Sequence, residues 1–316
     1  MSRLQGDDSR HSGSATGIWA ALGAFFLWGV LAIYWKQFEA VPPVEVIAHR
    51  VVWSLVLVLA ILPLRGRMGQ FCAAFRSGRM AGLYFVSGAL LTLNWLTFVY
   101  AVQRGQIVDA SLGYFLNPLF SVALGALVLR ERLGPVQWIA VALAAVGVLV
   151  QIAWNGSLPW VSLVLAGTFA LYGLLRKQGP LGSLTGLAVE TALVAPLAIG
   201  YLVWMHAAGG GVLFRGTGAD HAWAISTGVV TTIPLLLFAT AARRLPLTTV
   251  GLCQYLAPTL QLAIGVILYA EPFGAGRSIA FVFIWAGLVL YTIDGLRRSR
   301  NAGRERRELR ERETQC

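Results

Sequence analysis

Charged side chains are scarce in this chain of 316 residues. Only 12% of the residues are Asp, Glu, Lys or Arg, whereas about a quarter are charged in a typical soluble domain. Hydrophobic residues make up 57% of the sequence. They lie in blocks of about 18–23, close to the roughly 20 residues with which a helix crosses the hydrocarbon core of a bilayer. We therefore expect an integral membrane protein.

The sequence also lacks the signatures of several kinds of chemistry. Its three cysteines, Cys72, Cys253 and Cys316, are scattered and odd in number, which predicts neither a disulfide framework nor a metal site. No Gly-x-x-x-x-Gly-Lys stretch is present, so nucleotide-driven pumping is not expected. The four histidines form no cluster with metal-ligand spacing. We expect no cofactor, and we do not expect an enzyme.

Ten apolar blocks are interpreted as membrane-spanning helices, which predicts an all-α integral membrane fold. Strands of a membrane β-barrel would instead be about ten residues long and would alternate in polarity. The predicted spans, in chain order, are 18–38, 44–64, 81–103, 107–129, 134–153, 159–177, 184–204, 222–242, 247–270 and 275–295.

Basic residues are distributed unevenly around these spans, and Lys and Arg collect in cytoplasmic loops. If the N-terminus is cytoplasmic, the opposite side has only Lys36, Arg104, Arg215 and Arg277. Both termini are therefore predicted to be cytoplasmic, with residues 1–17 a disordered tail. The basic tail 296–316 is expected to bind anionic lipid. This placement explains the net charge of +11 without nucleic acid.

The two halves of the chain repeat one another at an offset of about 140 residues. The repeats cover 18–153 and 159–295, with five predicted spans each. An odd number of spans inverts the second repeat, and inverted repeats with a site between them are typical of secondary transporters. The aligned pairs include Gly88 and Gly228, Pro118 and Pro258, Glu131 and Glu271, and Gly147 and Gly287.

Two charged residues lie six positions inside predicted spans rather than at the span ends, and a charge at that depth costs at least about 2.5–3.5 kcal/mol. Arg50 follows His49 in span 2, and Glu190 occupies the matching position in span 7. Arg50 either extends to the membrane surface or lines an aqueous cavity and binds an anionic group such as a carboxylate. Glu190 pairs with Arg50 across the repeat interface, binds a proton or an amine, or lies partly exposed near the inner surface.

Small, polar and aromatic residues mark several spans as candidates for a transport path. Small residues at every fourth position in spans 4 and 9 also fit simple close packing of helices. Pro118, Pro234 and Pro258 are candidate kinks, because proline removes a helical hydrogen bond. The candidate path residues, besides His49, Arg50 and Glu190, are Asn94, Trp95, Tyr114, Asn117, Gln254, Tyr255 and Gln261.

The predicted depth in the membrane suggests a location for several other aromatic and acidic residues. One set either forms the wall of a cavity or anchors the chain at the interface: Trp28, Trp95, Phe98, Tyr100 and Tyr172. A second set is explained as an interfacial belt: Trp19, Trp35, Trp160 and Trp223. Glu131 and Glu271 end spans 4 and 9, and we interpret them as residues that cap or pair at the water boundary.

Several phrases carry a family resemblance. They include Ala-His-Arg-Val-Val-Trp-Ser at 48–54, Asn-Trp-Leu-Thr-Phe at 94–98, Ala-Ser-Leu-Gly-Tyr-Phe-Leu-Asn-Pro at 110–118 and Gln-Tyr-Leu-Ala-Pro-Thr at 254–259. Over about residues 17–295 the chain resembles the RarD branch of the EamA family, in the drug/metabolite transporter superfamily. The resemblance implies a ten-helix, inverted-repeat carrier of the bacterial inner membrane. Relatives export amino acids and other metabolites, and the RarD name is attached to chloramphenicol sensitivity.

The favoured hypothesis is a secondary carrier that works by alternating access. Its partners would be a small-molecule substrate, the lipid bilayer and protons as a coupling ion, and the carrier would be a monomer or a weak homo-oligomer. One alternative is a lipid-modifying membrane enzyme with His49 and Glu190 as base and acid. Another is a non-transporting partner, such as a receptor or an assembly factor.

Overall fold

The computed structural model describes residues 5–128, 130, 133–211, 218–245 and 247–315, and these are mostly helical. A π-helical turn at Ile264–Leu268 directly follows helix α11. The helices are α1 (Gln5–Lys36), α2 (Pro43–Leu64), α3 (Met68–Ala74), α4 (Gly78–Gln103), α5 (Ile107–Val128), α6 (Pro135–Asn155), α7 (Trp160–Gln178), α8 (Ser183–Ala207), α9 (Gly218–Arg244), α10 (Leu247–Cys253), α11 (Leu256–Ala263) and α12 (Ala275–Gln315).

Nine helical segments of the described residues are long and apolar enough to cross a membrane. They coincide with nine of the predicted spans. The remaining predicted span, the sixth in chain order at 159–177, coincides with α7, whose last turn carries Arg176 and Lys177. Helix α7 is therefore less apolar than the other nine, and ten crossings remain a prediction.

The first and last helices extend beyond the predicted spans. Helix α1 begins at Gln5, within the segment 1–17 that we expected to be disordered, and α12 continues to Gln315 through the basic tail. Hydropathy locates the apolar part of a helix, whereas the helix itself ends where its backbone hydrogen bonds end. No proline lies in either extension to interrupt those bonds.

Of the three predicted kinks, only Pro258 lies beside a break in a helix. Residues Gln254 and Tyr255 separate α10 from α11. The break lies four residues before Pro258, because proline cannot donate to the carbonyl of residue i−4 and its ring crowds that carbonyl. Pro118 and Pro234 lie inside α5 and α9, which are continuous helices.

One compact unit lies within Met1–Asn117 and Trp160–Pro272 and so draws on both halves of the sequence. In it α1 packs on α9, α2 packs on α8 and α9, and α4 packs on α7 and α8. Two glycines permit close approach of backbones. A Cβ atom on Gly88 would lie 2.9 Å from the carbonyl oxygen of Glu190, and one on Gly228 would lie 2.6 Å from the carbonyl carbon of Trp53.

The second unit lies within Pro118–Pro159 and Phe273–Cys316, and in it α6 packs along α12. A Cβ atom on Gly147 would lie 2.9 Å from the carbonyl oxygen of Ala280. A Cβ atom on Gly287 would lie 2.8 Å from the carbonyl oxygen of Ala140. The offset of 140 residues converts each of these contacts into the other.

Candidate functional site

Arg50 is enclosed by protein and is only 4% exposed. Its guanidinium carbon lies 3.8 Å from the ring centroid of Trp95 on α4 and 5.0 Å from that of Trp35 on α1. Its Nε has no hydrogen-bond partner within the described ranges of the chain. No carboxylate of the described residues forms an ion pair with it. Arg50 therefore does not extend to the surface; it is a buried cation whose contacts are aromatic faces.

Trp35 is fully buried, and its indole nitrogen has no hydrogen-bond partner in the part of the chain that the structure describes. The assignment of Trp35 to an interfacial belt is therefore wrong. Its position near the end of α1 indicated depth in the membrane, but not the direction in which the ring points. Trp19, Trp160 and Trp223 are exposed, as residues of a belt would be.

Further polar groups lie beside the hydrophobic cluster that includes Trp35 and Trp95, to which α1, α2, α4, α5, α7, α8 and α9 contribute. His49 is 2% exposed. The hydroxyl groups of Tyr34 and Ser226 lie 2.6 Å apart, which links α1 to α9. The Tyr114 hydroxyl donates to Asn94 Oδ1 at 3.4 Å. We call Arg50, Trp95 and Trp35 the arginine cluster.

The candidate amides fall into two kinds. Asn94 Nδ2 donates to the carbonyl of Leu165 and to Thr168 Oγ1, both at 2.9 Å, so this side chain fastens α4 to α7. Asn117 is 4% exposed, and no described residue donates a hydrogen bond to its Oδ1. Gln261 Nε2 donates to the carbonyl of Trp28 at 3.2 Å, while its Oε1 likewise has no partner among the described residues. Asn117 and Gln261 thus keep buried acceptors for other groups.

Gln254 and Tyr255 form the break between α10 and α11 and are half-buried. The Tyr255 ring is stacked with that of Phe115 on α5, with centroids 6.5 Å apart. Ser111 Oγ donates to the carbonyl of Pro258 at 2.9 Å, which also fixes this segment to α5. Helix α5 and the break in the ninth predicted span are therefore neighbours in space.

Glu190 is 1% exposed and is held by residues of two other helices. Ser87 Oγ donates a short hydrogen bond to Oε1, and the Tyr172 hydroxyl lies 3.5 Å from Oε2. Arg176 Nη1 lies 3.7 Å from Oε1. Neither the ion pair with Arg50 nor partial exposure is found, because Glu190 points toward α4 and α7. We call these four residues the glutamate cluster.

The five aromatic residues that were candidates for the wall of one cavity contact different rings. Trp28 packs against Phe25 and Phe238. The other contacts pair Phe98 with Tyr114, Tyr100 with Trp160, and Tyr172 with Phe169. Of this set, only Trp95 contacts the guanidinium of Arg50.

Comparison with known proteins identifies the family. The model of the EamA-like transporter family matches residues 15–153. Protein RarD of Streptomyces exfoliatus is 43% identical over 289 residues, which cover 91% of this chain and 91% of that protein. The chain belongs to the EamA family and to its RarD branch.

Other similarities agree with this membership of the EamA family. Chloramphenicol-sensitive protein RarD of Pseudomonas aeruginosa is 30% identical, and the match covers 92% of this chain and 98% of that protein. One crystal structure matches 91% of this chain and 98% of its own chain with a TM-score of 0.55 at 19% identity, which supports the fold alone. The EamA chain described here is therefore a multi-pass protein of a membrane-transporter family.

Proposed function

We propose that this EamA protein is a secondary carrier for small amphipathic metabolites that bear an anionic or strongly polar group. Amino acids are the first candidate substrates, and drug-like compounds including chloramphenicol are the second. The observation that carries this proposal is a buried Arg50 with no ion-pair partner among the described residues. Transport would take place across the bacterial inner membrane.

The energetics of Arg50 favour an anionic ligand. Burying a charge without a partner is strongly unfavourable, and stacking on aromatic faces returns only about 2 kcal/mol when the cation is desolvated. A substrate carboxylate would supply charge-assisted hydrogen bonds to the guanidinium. The unpaired indole N–H of Trp35, beside Arg50, would be a second donor. The ring of Trp95 would contact the apolar part of the substrate.

The proposed mechanism is alternating access between two inverted repeats, 18–153 and 159–295, with ten spans and cytoplasmic termini. Its support is the reciprocal packing of Gly147 on Ala280 and of Gly287 on Ala140, since a two-fold relation between repeats exchanges such contacts. The helix break beside Pro258 and the buried acceptor atoms of Asn117 and Gln261 would supply polar groups along the transport path.

The direction of transport is proposed to be outward. This part of the proposal rests on the family resemblance and on the name of the relative of Pseudomonas aeruginosa, chloramphenicol-sensitive protein RarD. Chloramphenicol is neutral, so Arg50 would bind one of its polar groups rather than a carboxylate. We expect the carrier to be a monomer or a weak homo-oligomer.

The test is counterflow of labelled amino acids and labelled chloramphenicol in proteoliposomes, for wild type, Arg50→Ala and Arg50→Lys. We expect saturable uptake in wild type, loss of uptake in Arg50→Ala and weak uptake in Arg50→Lys. Arg104→Ala is the matched control, because Arg104 also contacts an aromatic ring, that of Tyr100, but is exposed. Uptake that is unchanged in Arg50→Ala would refute the assigned role of Arg50.

A further inference from the structure

The glutamate cluster is a buried ionizable network that the substrate site does not use. Its carboxylate contacts a hydroxyl from α4, a hydroxyl from α7 and the guanidinium at the end of α7. Tyr84 borders it as well, because its ring lies 5.5 Å from the guanidinium carbon of Arg176. The cluster therefore joins α4, α7 and α8 at one point.

The partners of Glu190 can accommodate both protonation states of its carboxyl group. Hydroxyl groups donate and accept hydrogen bonds, so Ser87 and Tyr172 can bond a carboxylate or a carboxylic acid. Arg176 distinguishes the two states, because only the carboxylate carries the charge that attracts the guanidinium. At 3.7 Å the contact is an ion pair but not a hydrogen bond. It can therefore open without breaking a hydrogen bond.

Arg176 also gives the cluster a connection to water. It lies in the last turn of α7, and its side chain is 16% exposed, whereas that of Glu190 is 1% exposed. The titratable or charged groups that face Glu190 among the described residues are Arg176 and Tyr172 on α7 and Tyr84 on α4. Helix α2, which also packs on α8, carries the buried Glu45, His49 and Arg50.

We propose that Glu190 binds and releases the proton that couples transport to the proton gradient, and that Arg176 is its counter-ion in the deprotonated state. On release, the O–H bond of the Glu190 carboxyl breaks and the proton passes to water beside Arg176. The carboxylate then pairs with the guanidinium, which stays protonated. On uptake, the same O–H bond forms again and the ion pair opens. This inference rests on the proposed carrier function.

Helix α4 connects the proton site with the substrate site. It supplies Ser87 to Glu190 and Trp95 to Arg50. The two residues are eight positions apart, about 12 Å along a helix axis. Tyr172 and Trp95 also pack against one hydrophobic cluster, which contains Leu91. Opening of the ion pair changes the contact between α7 and α8, and α4, which is bonded to Glu190 through Ser87, would transmit the change to Trp95 beside Arg50.

The first test is independent of substrate: infrared difference spectra of purified protein in lipid during a pH titration. Wild type is expected to gain a carboxylic-acid C=O band on acidification that is missing from Glu190→Gln. Glu45→Gln is the matched control, because it removes another buried carboxylate of the same bundle, and it should keep the band. A band of equal size in wild type and Glu190→Gln would overturn the assignment.

The second test compares gradient-driven accumulation with counterflow of the same labelled amino acids in proteoliposomes. Glu190→Gln should lose accumulation driven by an imposed proton gradient, while counterflow falls much less. Glu190→Asp should recover part of the gradient response, which a merely structural role would not predict. Gradient-driven accumulation that survives in Glu190→Gln would overturn the proposal. So would counterflow without any gradient dependence in wild type.

These outcomes also separate this inference from the proposed function. Counterflow in wild type without gradient-driven accumulation refutes proton coupling and leaves the carrier in place. No counterflow of amino acids or chloramphenicol refutes the proposed substrates and the coupling role together. The infrared band would then report only that Glu190 titrates.

Discussion

Glu271 caps a helix that begins 164 residues earlier in the chain, at Ile107. Its Oε1 accepts a hydrogen bond from the backbone N–H of Ile107, and its Oε2 accepts one from Val108, both at 2.8 Å. The first N–H groups of a helix have no partner within it, and a negative charge there is favoured by the helix dipole. The capping role expected of Glu271 is present, whereas Glu131 lies outside the described residues.

Replacing Glu271 by Ala should lower the stability of the folded protein. The change leaves two backbone donors of α5 without acceptors, and loss of a helix cap costs about 0.5–2 kcal/mol. Thermal unfolding in detergent should show a lower Tm for Glu271→Ala. Glu39→Ala serves as the control, because Glu39 is exposed and, within the described part of the chain, forms its ion pair with Lys36. Equal Tm values for the two variants would contradict this role.

Trp35→Phe should weaken substrate binding without lowering the stability of the folded protein. The substitution keeps a buried aromatic ring but removes an indole N–H that has no hydrogen-bond partner among the residues that the structure describes. Folding should be unaffected or slightly stabilised, since an unpaired buried donor is unfavourable. A lost hydrogen bond to substrate of about 0.5–1.5 kcal/mol should raise KM about three- to tenfold. Counterflow kinetics measure KM, and an unchanged KM would exclude Trp35 from the site.

Trp95 should be needed for substrate binding more than for folding. Its ring lies under the guanidinium of Arg50 and would position that guanidinium for the substrate. Trp95→Leu should therefore raise KM about tenfold, which corresponds to about 1.4 kcal/mol of substrate binding, and Trp95→Phe should raise it less. Trp160→Leu is a suitable control, because Trp160 contacts Tyr100 and is 43% exposed. Similar KM values for the two leucine variants would argue against the arginine cluster as the site.

Gly147→Ala and Gly287→Ala should destabilise the protein by similar amounts. In each case the new Cβ atom would meet a backbone oxygen, of Ala280 at 2.9 Å or of Ala140 at 2.8 Å, so the two helices must separate. Gly167→Ala should be neutral or stabilising by about 0.5–1 kcal/mol, since its Cβ would meet nothing within 4 Å. Thermal unfolding compares the three. A large effect at only one of the two packed glycines would deny their equivalence.

Hydropathy predicted nine of the membrane-length helices because burial in lipid demands a continuous apolar block of fixed length. The pattern did not predict α3, since its seven residues are too few for a periodic signal. The break in the ninth span had a local cause, Pro258, and could be expected. Pro118 and Pro234 remove a helical hydrogen bond in the same way, yet they lie in continuous helices. A proline alone therefore does not predict whether a helix breaks or continues.

The site was predictable one residue at a time but not as a set of contacts. Arg50 and Glu190 stood out because charge is costly in lipid, but their partners depend on how the helices pack. Arg176 already had an explanation as a cytoplasmic basic residue. Ser87 carried no signal in the sequence. Trp35 was misassigned because its position near a helix end resembles that of an interfacial anchor.

The packing of α6 on α12 also bears on how such a chain could arise. The face of Gly147 meets Ala280, and Ala280 is the repeat counterpart of Ala140, which meets Gly287. A chain of half the length would therefore have a surface complementary to that of its own copy. An ancestral single-repeat protein would have assembled in pairs, and gene duplication with fusion would then have made the pairing permanent. Each half could afterwards diverge, so that one now carries Arg50 and the other Glu190 at the same position of the repeat.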